Sequence, residues 1–398
     1  MAPWKRTFVS AFIAQLLSIV GFSFALPFLP FFIGELGVTD SAEQAWWSGI
    51  VLSASGLTLS LFAPLWGILA DRFGRKAMVV RAMLAGTVVM WLMSLVQTVG
   101  QLTVCRLLQG ALTGTVAASV ALVASVSPVH RSGFTLGMMQ TAVFLGVSFG
   151  PLAGGIIADH FGYRTAFRIG ALIIFGGGLL VYAGTHEEFK PPDPEEREQG
   201  EPFRSILFRP LFLAAVFVLF VIRFANTLSN PSFPLIVKEI LGTTRRLNSV
   251  TGSVVCGAAL GGALSSALLG HFGDSWGHRR VLIGCSLIAA AASFAHTFAD
   301  SIGYLFVVRM LFGMAAAGMI PAANAIIRRT IRDRHIGKAY GAATSLSTVG
   351  FALGPFLGGY LGRVAGLRVP FVASGLAQLA VLGVVLAFVY EERDPLVR

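Results

Sequence analysis

The sequence predicts an all-α membrane protein, with twelve transmembrane helices in two pseudo-symmetric six-helix bundles. Three observations carry that expectation. Of 398 residues, 55% are hydrophobic and only 12% charged, against roughly 25% charge in an average soluble domain. The charged residues leave twelve long gaps between them. The second half of the chain also repeats landmarks of the first at a near-constant spacing. Composition alone excludes a soluble enzyme, a disordered chain and a disulfide scaffold. The 46 glycines point the same way, since membrane helices carry more glycine than soluble ones.

Asp, Glu, Lys and Arg are absent from 7–34, 44–70, 82–105, 107–130, 132–158, 169–186, 247–273, 281–299, 339–362 and 369–390. Segments 210–237 and 301–327 are interrupted only by Arg223 and Arg309. About 20 apolar residues in a helix cross the hydrocarbon core, so each stretch suffices for one span. A transmembrane barrel would show shorter, alternating segments. The first stretch follows Lys5 and Arg6 as a signal peptide would. Its length, with Pro27 and Pro30 inside it, exceeds an h-region, so it is expected to stay in the mature chain. Trp46 and Trp47 open the second stretch and fit an interfacial belt. Cys105, Cys256 and Cys285 fall in spans without metal-ligand spacing and read as buried free thiols.

Twelve spans place both termini on one side. Loops on that side hold twenty Lys and Arg, and the opposite loops hold seven. Basic residues collect in cytoplasmic loops, so both termini are expected in the cytoplasm. The net charge of +11 is thereby explained by topology, and no nucleic-acid partner is expected.

Residues 185–208 form the one long polar segment, with Pro191, Pro192, Pro194 and a run of Glu. Such a composition buries too little apolar surface to fold alone. It reads as a cytoplasmic linker between one bundle at 1–184 and another at 209–398. Slid by 203 residues, Asp71 falls on Asp274, Gly74 on Gly277, Lys76 on Arg279, Arg106 on Arg309 and Gly110 on Gly313. Slid by 204, Gly150-Pro151-x-x-Gly154-Gly155 falls on Gly354-Pro355-x-x-Gly358-Gly359. Six helices in each half give the copies the same membrane orientation. Many secondary transporters are built from such repeats, with the substrate near the midplane between them.

The loop after the second span reads Gly67-Ile-Leu-Ala-Asp71-Arg72-Phe-Gly74-Arg75-Lys76. A carboxylate beside three cations makes a charge network at the membrane boundary, and the glycines permit close contact and a tight turn. Taken alone, it reads as basic anchoring plus a turn. The complete string, with its degenerate copy around Asp274 and Arg279, closely resembles the loop signature of the major facilitator superfamily. That resemblance implies that Asp71, Arg72, Arg75 and Lys76 latch the halves at the cytoplasmic face and help gate alternating access. Gly67, Gly74, Asp274 and Arg279 share the gating role.

Arg106 stands in Cys105-Arg106-Leu-Leu-Gln109-Gly110, inside the fourth span. A mid-membrane arginine costs at least ~2.5 kcal/mol on insertion scales, so it should face the interior with a partner or a purpose. It is either a hydrogen-bonded structural group or, as resemblance to the family's fourth-helix motif implies, a participant in proton transfer. The fifth span reads Gly146-Val-Ser-Phe-Gly150-Pro151-Leu-Ala-Gly154-Gly155. Its glycines let backbones approach and Pro151 bends the helix, which generic packing could also use. The string matches the antiporter signature of drug exporters and is mirrored from Gly350 to Gly359. The resemblance covers the whole chain and implies a bacterial inner-membrane drug/proton antiporter, powered by the proton gradient without cofactor or metal.

One departure bears on substrate. No acidic residue lies in mid-span, whereas many such exporters place one in the cavity. Glu35 and Glu239, at repeat-equivalent outer helix ends, are the candidates for protonation, with interfacial anchoring as their alternative role. The interior charges are Arg106, Arg223 and Arg309, and unpaired arginines disfavour cations. Neutral, amphipathic or anionic substrates are therefore expected. Candidates for the cavity wall are Phe24, Phe28, Gln140, Arg223, Asn226, Asn230, Arg309 and Asn324, with lipid-facing packing the alternative for the aromatics. Pro27 and Pro30, like Pro231 and Pro234, interrupt matching helices, which points to a transporter site. No Gly-x-x-x-x-Gly-Lys-Ser/Thr loop is present and the seven histidines are scattered, so no enzyme is expected. The expected function is proton-coupled efflux of small amphipathic compounds. Its competitor is a facilitator or symporter taking up an anionic or neutral metabolite, with the arginines as an anion site. Membrane lipids and a small-molecule substrate are the expected partners, and a monomer is the expected state.

Overall fold

The computed structural model describes residues 3–128, 131–187, 210–330 and 336–389. Among them, every regular element is helical. Eleven helices are long and apolar enough to cross a membrane: α1 Trp4–Glu35, α2 Ser41–Phe73, α3 Arg75–Met93, α4 Val99–Val126, α5 Ser132–Phe161, α6 Tyr163–Gly184, α7 Phe212–Leu241, α8 Leu247–Gly273, α9 His278–Phe298, α10 Ile302–Arg328 and α12 Val369–Phe388. The helix Ile336–Ala365 between the last two is α11 and completes the twelve. Helices α1–α6 and α7–α12 each surround their own buried cluster. The two halves meet chiefly where α2 packs on α11 and α5 on α8. The end of the bundles carrying residues 3, 187 and 389 is called the terminal face below, and the other the far face.

Local chemistry places the helix ends. The Asp40 carboxylate accepts the Glu43 N–H at 2.9 Å ahead of α2, and Thr98 accepts the Gln101 N–H ahead of α4. Both satisfy amides that a helix start otherwise leaves without a partner. The reversals into α3 and α9 run through the repeat mates Gly74 and Gly277, at φ 91° and 98°, a region that glycine enters without steric cost. In α1 the helix stops at Ser23, passes a 3-10 turn at Leu26–Phe28 and resumes at Leu29. In α7 it stops at Leu228 and resumes at Phe233. Prolines without a backbone donor sit at both interruptions. A third break, between Leu112 and Thr115 of α4, has no proline.

The glycine strings decide how closely helices approach. On α5, Gly146 and Gly150 face α1, where a Cβ would lie 2.6 Å from the Ile19 Cβ and 2.7 Å from the Ser23 Cβ. At Gly154 it would fall on the Phe24 carbonyl oxygen. Gly155 faces the other half instead, and its Cβ would lie 2.5 Å from the Asn248 carbonyl oxygen on α8. The division recurs on α11. Gly350, Gly354 and Gly358 press on α7, whereas Gly359 faces Ala45 of α2 at 2.7 Å. Two further glycines complete this seam between the halves. A Cβ on Gly49 would fall on the Pro355 carbonyl, and one on Gly252 on the Pro151 carbonyl.

The seam stops partway along the helices. On α2, a Cβ at Gly56 would touch Ala352 at 3.1 Å, but Gly67 has nothing within 4 Å. The two glycines are eleven residues apart, about three turns along one helix face. On α5, Gly155 is clasped while Gly137, about five turns away on the same face, has nothing within 4 Å. Among the described residues, the halves are shut together at the far face and parted at the terminal face. Gly154→Ala is expected to lower stability by about 1–3 kcal/mol, the cost of overpacking, and to lower the thermal midpoint in detergent. Gly67→Ala is expected to leave that midpoint unchanged, and equal losses in the two variants would remove the close-packing account.

Candidate functional site

Between the halves lie two joined lobes of a cavity. One, of about 300 Å³, is lined by Pro27, Leu52, Arg106, Pro151, Asn230, Phe233, Pro234, Arg309, Phe351 and Pro355, among others. The other, of about 280 Å³, includes Phe144, Asn226 and Phe312, and runs toward the terminal face as far as Gly262 and Ile320. Val147, Val255 and Arg309 belong to both. The four prolines of the first lobe come from α1, α5, α7 and α11, so the cavity forms where both repeats bend or break.

Two buried arginines give the cavity its charge. Arg106, 6% exposed, donates to the Val51 carbonyl at 3.3 Å and to Gln109 Oε1. Gln109 follows it by three residues and so shares its helix face. Arg309, 9% exposed, donates to Ser229 Oγ at 3.1 Å and Asn230 Oδ1 at 3.3 Å. Its guanidinium carbon lies 4.5 Å from the Phe233 ring centroid and 5.6 Å from that of Phe312, within cation–π range. All these partners are neutral. Among the described residues no carboxylate pairs with either arginine. A guanidinium has five N–H donors, and each arginine commits two to these bonds. The cavity therefore keeps a positive field and spare donors, which repels cations and suits an anion or a neutral acceptor.

Several expected residues gather here. Arg223 and Asn226 share one face of α7, Asn230 stands in the turn that interrupts it, and both asparagines line the cavity. The side chain of Arg223 is exposed nearer the terminal face and makes no hydrogen bond or ion pair among the described residues, while its backbone carbonyl accepts from Thr227 Oγ1 at 2.9 Å. Gln140, also exposed, precedes Phe144 by one turn on α5. Others do not reach either lobe. Phe24 is 2% and Phe28 1% exposed, and both are packed against α5 in this conformation. The backbone of Phe24 abuts Gly154, and the Phe28 ring lies against Gly155. Asn324 lines neither lobe and has a partner elsewhere. Glu35 and Glu239 are exposed at the far face, Glu239 pairing with Arg368 at 3.2 Å.

Among the described residues, the charged loop after α2 makes no hydrogen bond or ion pair to the opposite half. Asp71 and Arg72 are exposed. The backbone N–H groups of Arg75 and Lys76 donate to the Glu187 carboxylate at 3.0 and 2.7 Å, and Lys76 Nζ donates to the Thr185 carbonyl at 2.7 Å. The start of α3 has no side-chain cap of its own, so Glu187 fills a place that favours a carboxylate. Arg279 reaches the Leu386 carbonyl at 3.5 Å, within its own half. The side chain of Asp274 lies outside the described residues. Phe144, Val147, Phe233, Phe312 and Phe351 went unidentified in the sequence, because lipid and cavity both select apolar side chains. Gln109 also went unidentified as the partner of Arg106, although its spacing carries that signal.

The model of the Major Facilitator Superfamily matches residues 11–224 and 215–398. Multidrug resistance protein MdtG of Salmonella dublin is 31% identical over 372 residues, covering 93% of this chain and 92% of that protein. A bacterial homologue of the human lysosomal transporter Spinster has a TM-score of 0.80 at 15% identity, over 97% of each chain. The human organic anion transporter MFSD10 has a TM-score of 0.69 at 17% identity, over 97% of this chain and 100% of the other. At such identities the two structures speak for the fold alone. With twelve helices in two parallel repeats, a cavity between them and the family match in both halves, the chain belongs to the major facilitator superfamily and is an integral, multi-pass membrane protein.

Proposed function

We propose that this chain exports small amphipathic compounds by alternating access, driven by protons moving inward. The observation that carries the reading is the cavity between the repeats, parted only at the terminal face, with two guanidiniums set among aromatic walls. The terminal face is taken as cytoplasmic from the twenty-to-seven bias of basic loop residues. The described conformation is then open to the cytoplasm. A substrate entering there would set its polar end against Arg309, Asn226 and Asn230, and its apolar body against Phe144, Phe312 and Phe351. Without a cavity carboxylate to neutralise a cation, that polar end is neutral or anionic. The likeness to a multidrug resistance protein supports export. Proton coupling is assigned to Arg106 together with Glu35 and Glu239. A guanidinium stays protonated, so Arg106 would steer a proton through Gln109 rather than carry it, and the far-face carboxylates would take protons up from outside. The protein works as a monomer in the inner membrane, with the gradient as its only energy source.

A second reading is favoured by the same two arginines. Arg106 and Arg309 in one lobe also suit a facilitator or symporter that takes up an anionic or neutral metabolite. Proteoliposomes with an imposed proton gradient separate the two. Export predicts substrate-dependent proton release that Arg106→Ala or Asp71→Asn abolishes. Flux indifferent to the gradient removes the antiport claim.

The substrate class has its own test. Arg309→Gln, at constant expression, is expected to cut protection of cells against anionic amphipathic toxins about tenfold, the factor given by one lost charge-assisted hydrogen bond. Protection against neutral toxins should change little. Equal losses for both classes would show that Arg309 shapes the cavity without selecting charge.

A further inference from the structure

Among the described residues three polar links join the halves at the far face. The Tyr163 hydroxyl of α6 donates to Asn248 Oδ1 at 3.2 Å, and the other two stand at positions related by the repeat. Asp159, near the end of α5, accepts the backbone N–H of Asn248 at 3.1 Å and of Ser249 at 2.8 Å. It also accepts the Asn248 side-chain amide at 2.9 Å and the Ser249 hydroxyl. These donors form the first turn of α8, in the opposite half. Arg246, which precedes that helix, takes φ 61° and supplies no side-chain cap. Asp159 therefore serves as a cap borrowed from across the interface, a carboxylate at the positive end of a helix. At an offset of 204 stands Arg363 on α11, paired at 2.8 Å with Glu43 in the first turn of α2. There the helix start is already capped by Asp40 of its own half, and the link across the halves has the opposite charge order.

The two repeat-related links are unequal. The side chains of Arg363 and Glu43 are 47% and 36% exposed, and exposed ion pairs are screened by water and salt. Asp159 makes four charge-assisted bonds in part-buried surroundings, two of them to backbone that cannot reorient independently. It also ends a continuous strip of contact. Four and eight residues before it, Gly155 and Pro151 press on Asn248 and Gly252 through backbone atoms. Among the described residues those contacts are close backbone packing with no hydrogen bond between them, whereas opening at Asp159 strips a helix start of its cap.

We propose that Asp159 is the lock that holds the far face shut, and that Arg363–Glu43 is a subordinate brace. Asp159 acts through α8 and touches no substrate, so it is a positioning residue for alternating access. The proposal rests on the alternating-access part of the function argued above. In that cycle these four bonds break each time the cavity turns outward and re-form each time it returns.

The test reads accessibility. Leu52 lines the cavity, and the native Cys105, Cys256 and Cys285 are buried. With those three replaced, Leu52→Cys reports whether a membrane-impermeant maleimide reaches the cavity from outside intact cells. Slow labelling is expected while Asp159 is present. Asp159→Asn should label about tenfold faster, a population shift of one decade, while Glu43→Gln should stay close to the parent. Ser249→Ala removes one of the four bonds and should give an intermediate rate, which keeps the proposal testable if Asp159→Asn fails to reach the membrane. Unchanged labelling in Asp159→Asn, or a larger effect in Glu43→Gln, overturns the lock, as does fast labelling of the parent. Drug efflux is measured in parallel. Faster labelling in a chain that exports nothing removes the proposed function and keeps the lock, and efflux with unchanged labelling does the reverse.

Discussion

Gly49 against the Pro355 carbonyl, and Gly252 against the Pro151 carbonyl, bring the two halves together with no side chain between them. Everything else about the interface depends on that closeness. Apolar side chains gain nothing by leaving lipid for another helix, so helices in a membrane associate through packing at short range and through hydrogen bonds. Glycine inside a helix costs up to about 1 kcal/mol relative to alanine, and here the cost is offset by contacts that no larger residue permits. The repeat places the two contact points symmetrically about the axis, and both lie toward the far face. Below them the helices diverge, and the cavity occupies the space.

The prolines connect this seam to the cavity. Pro151 and Pro355 present their carbonyls to the opposite half and also line the first lobe. A proline inside a helix removes a backbone bond and tilts the segment that follows, so the residues that make the contact also open space beside it. The interruptions of α1 and α7 near Pro27 and Pro234 add to that space from the other side of each bundle. Into it project Arg106 and Arg309, held by carbonyl, amide, hydroxyl and ring partners. A bilayer tolerates such charges only when they face protein or water. Their neutral partners leave the positive field undiminished, and that field makes the cavity unlike one built to hold a cation.

Much of this was legible in the residues themselves. Charge-free stretches gave the spans, and Gly74 with Gly277 gave matching turns because few other residues adopt their φ. The string from Gly146 to Gly155 announced close packing. The faces of the aromatics were not legible. Phe24 and Phe28, candidates for the cavity wall, line neither lobe, and in a span that is apolar all round no periodicity says which face meets lipid, protein or cavity. Phe144, Phe312 and Phe351 escaped notice for the same reason. Asp159 escaped because its four donors stand 89 or 90 residues away and two of them are backbone amides, identical in every residue but proline.

The sequence by itself determined the number of helices, their grouping into two copies and the interruptions that carry proline. Those properties follow from local chemistry: hydrophobic length, turn geometry and the missing donor of proline. The tertiary structure alone decided which face of each helix meets the axis and where the halves touch. It also decided that the charged loop after α2 holds Glu187. Those properties depend on groups distant in sequence meeting at van der Waals range. In a chain that is apolar on nearly every face, only the packed structure distinguishes one apolar surface from another.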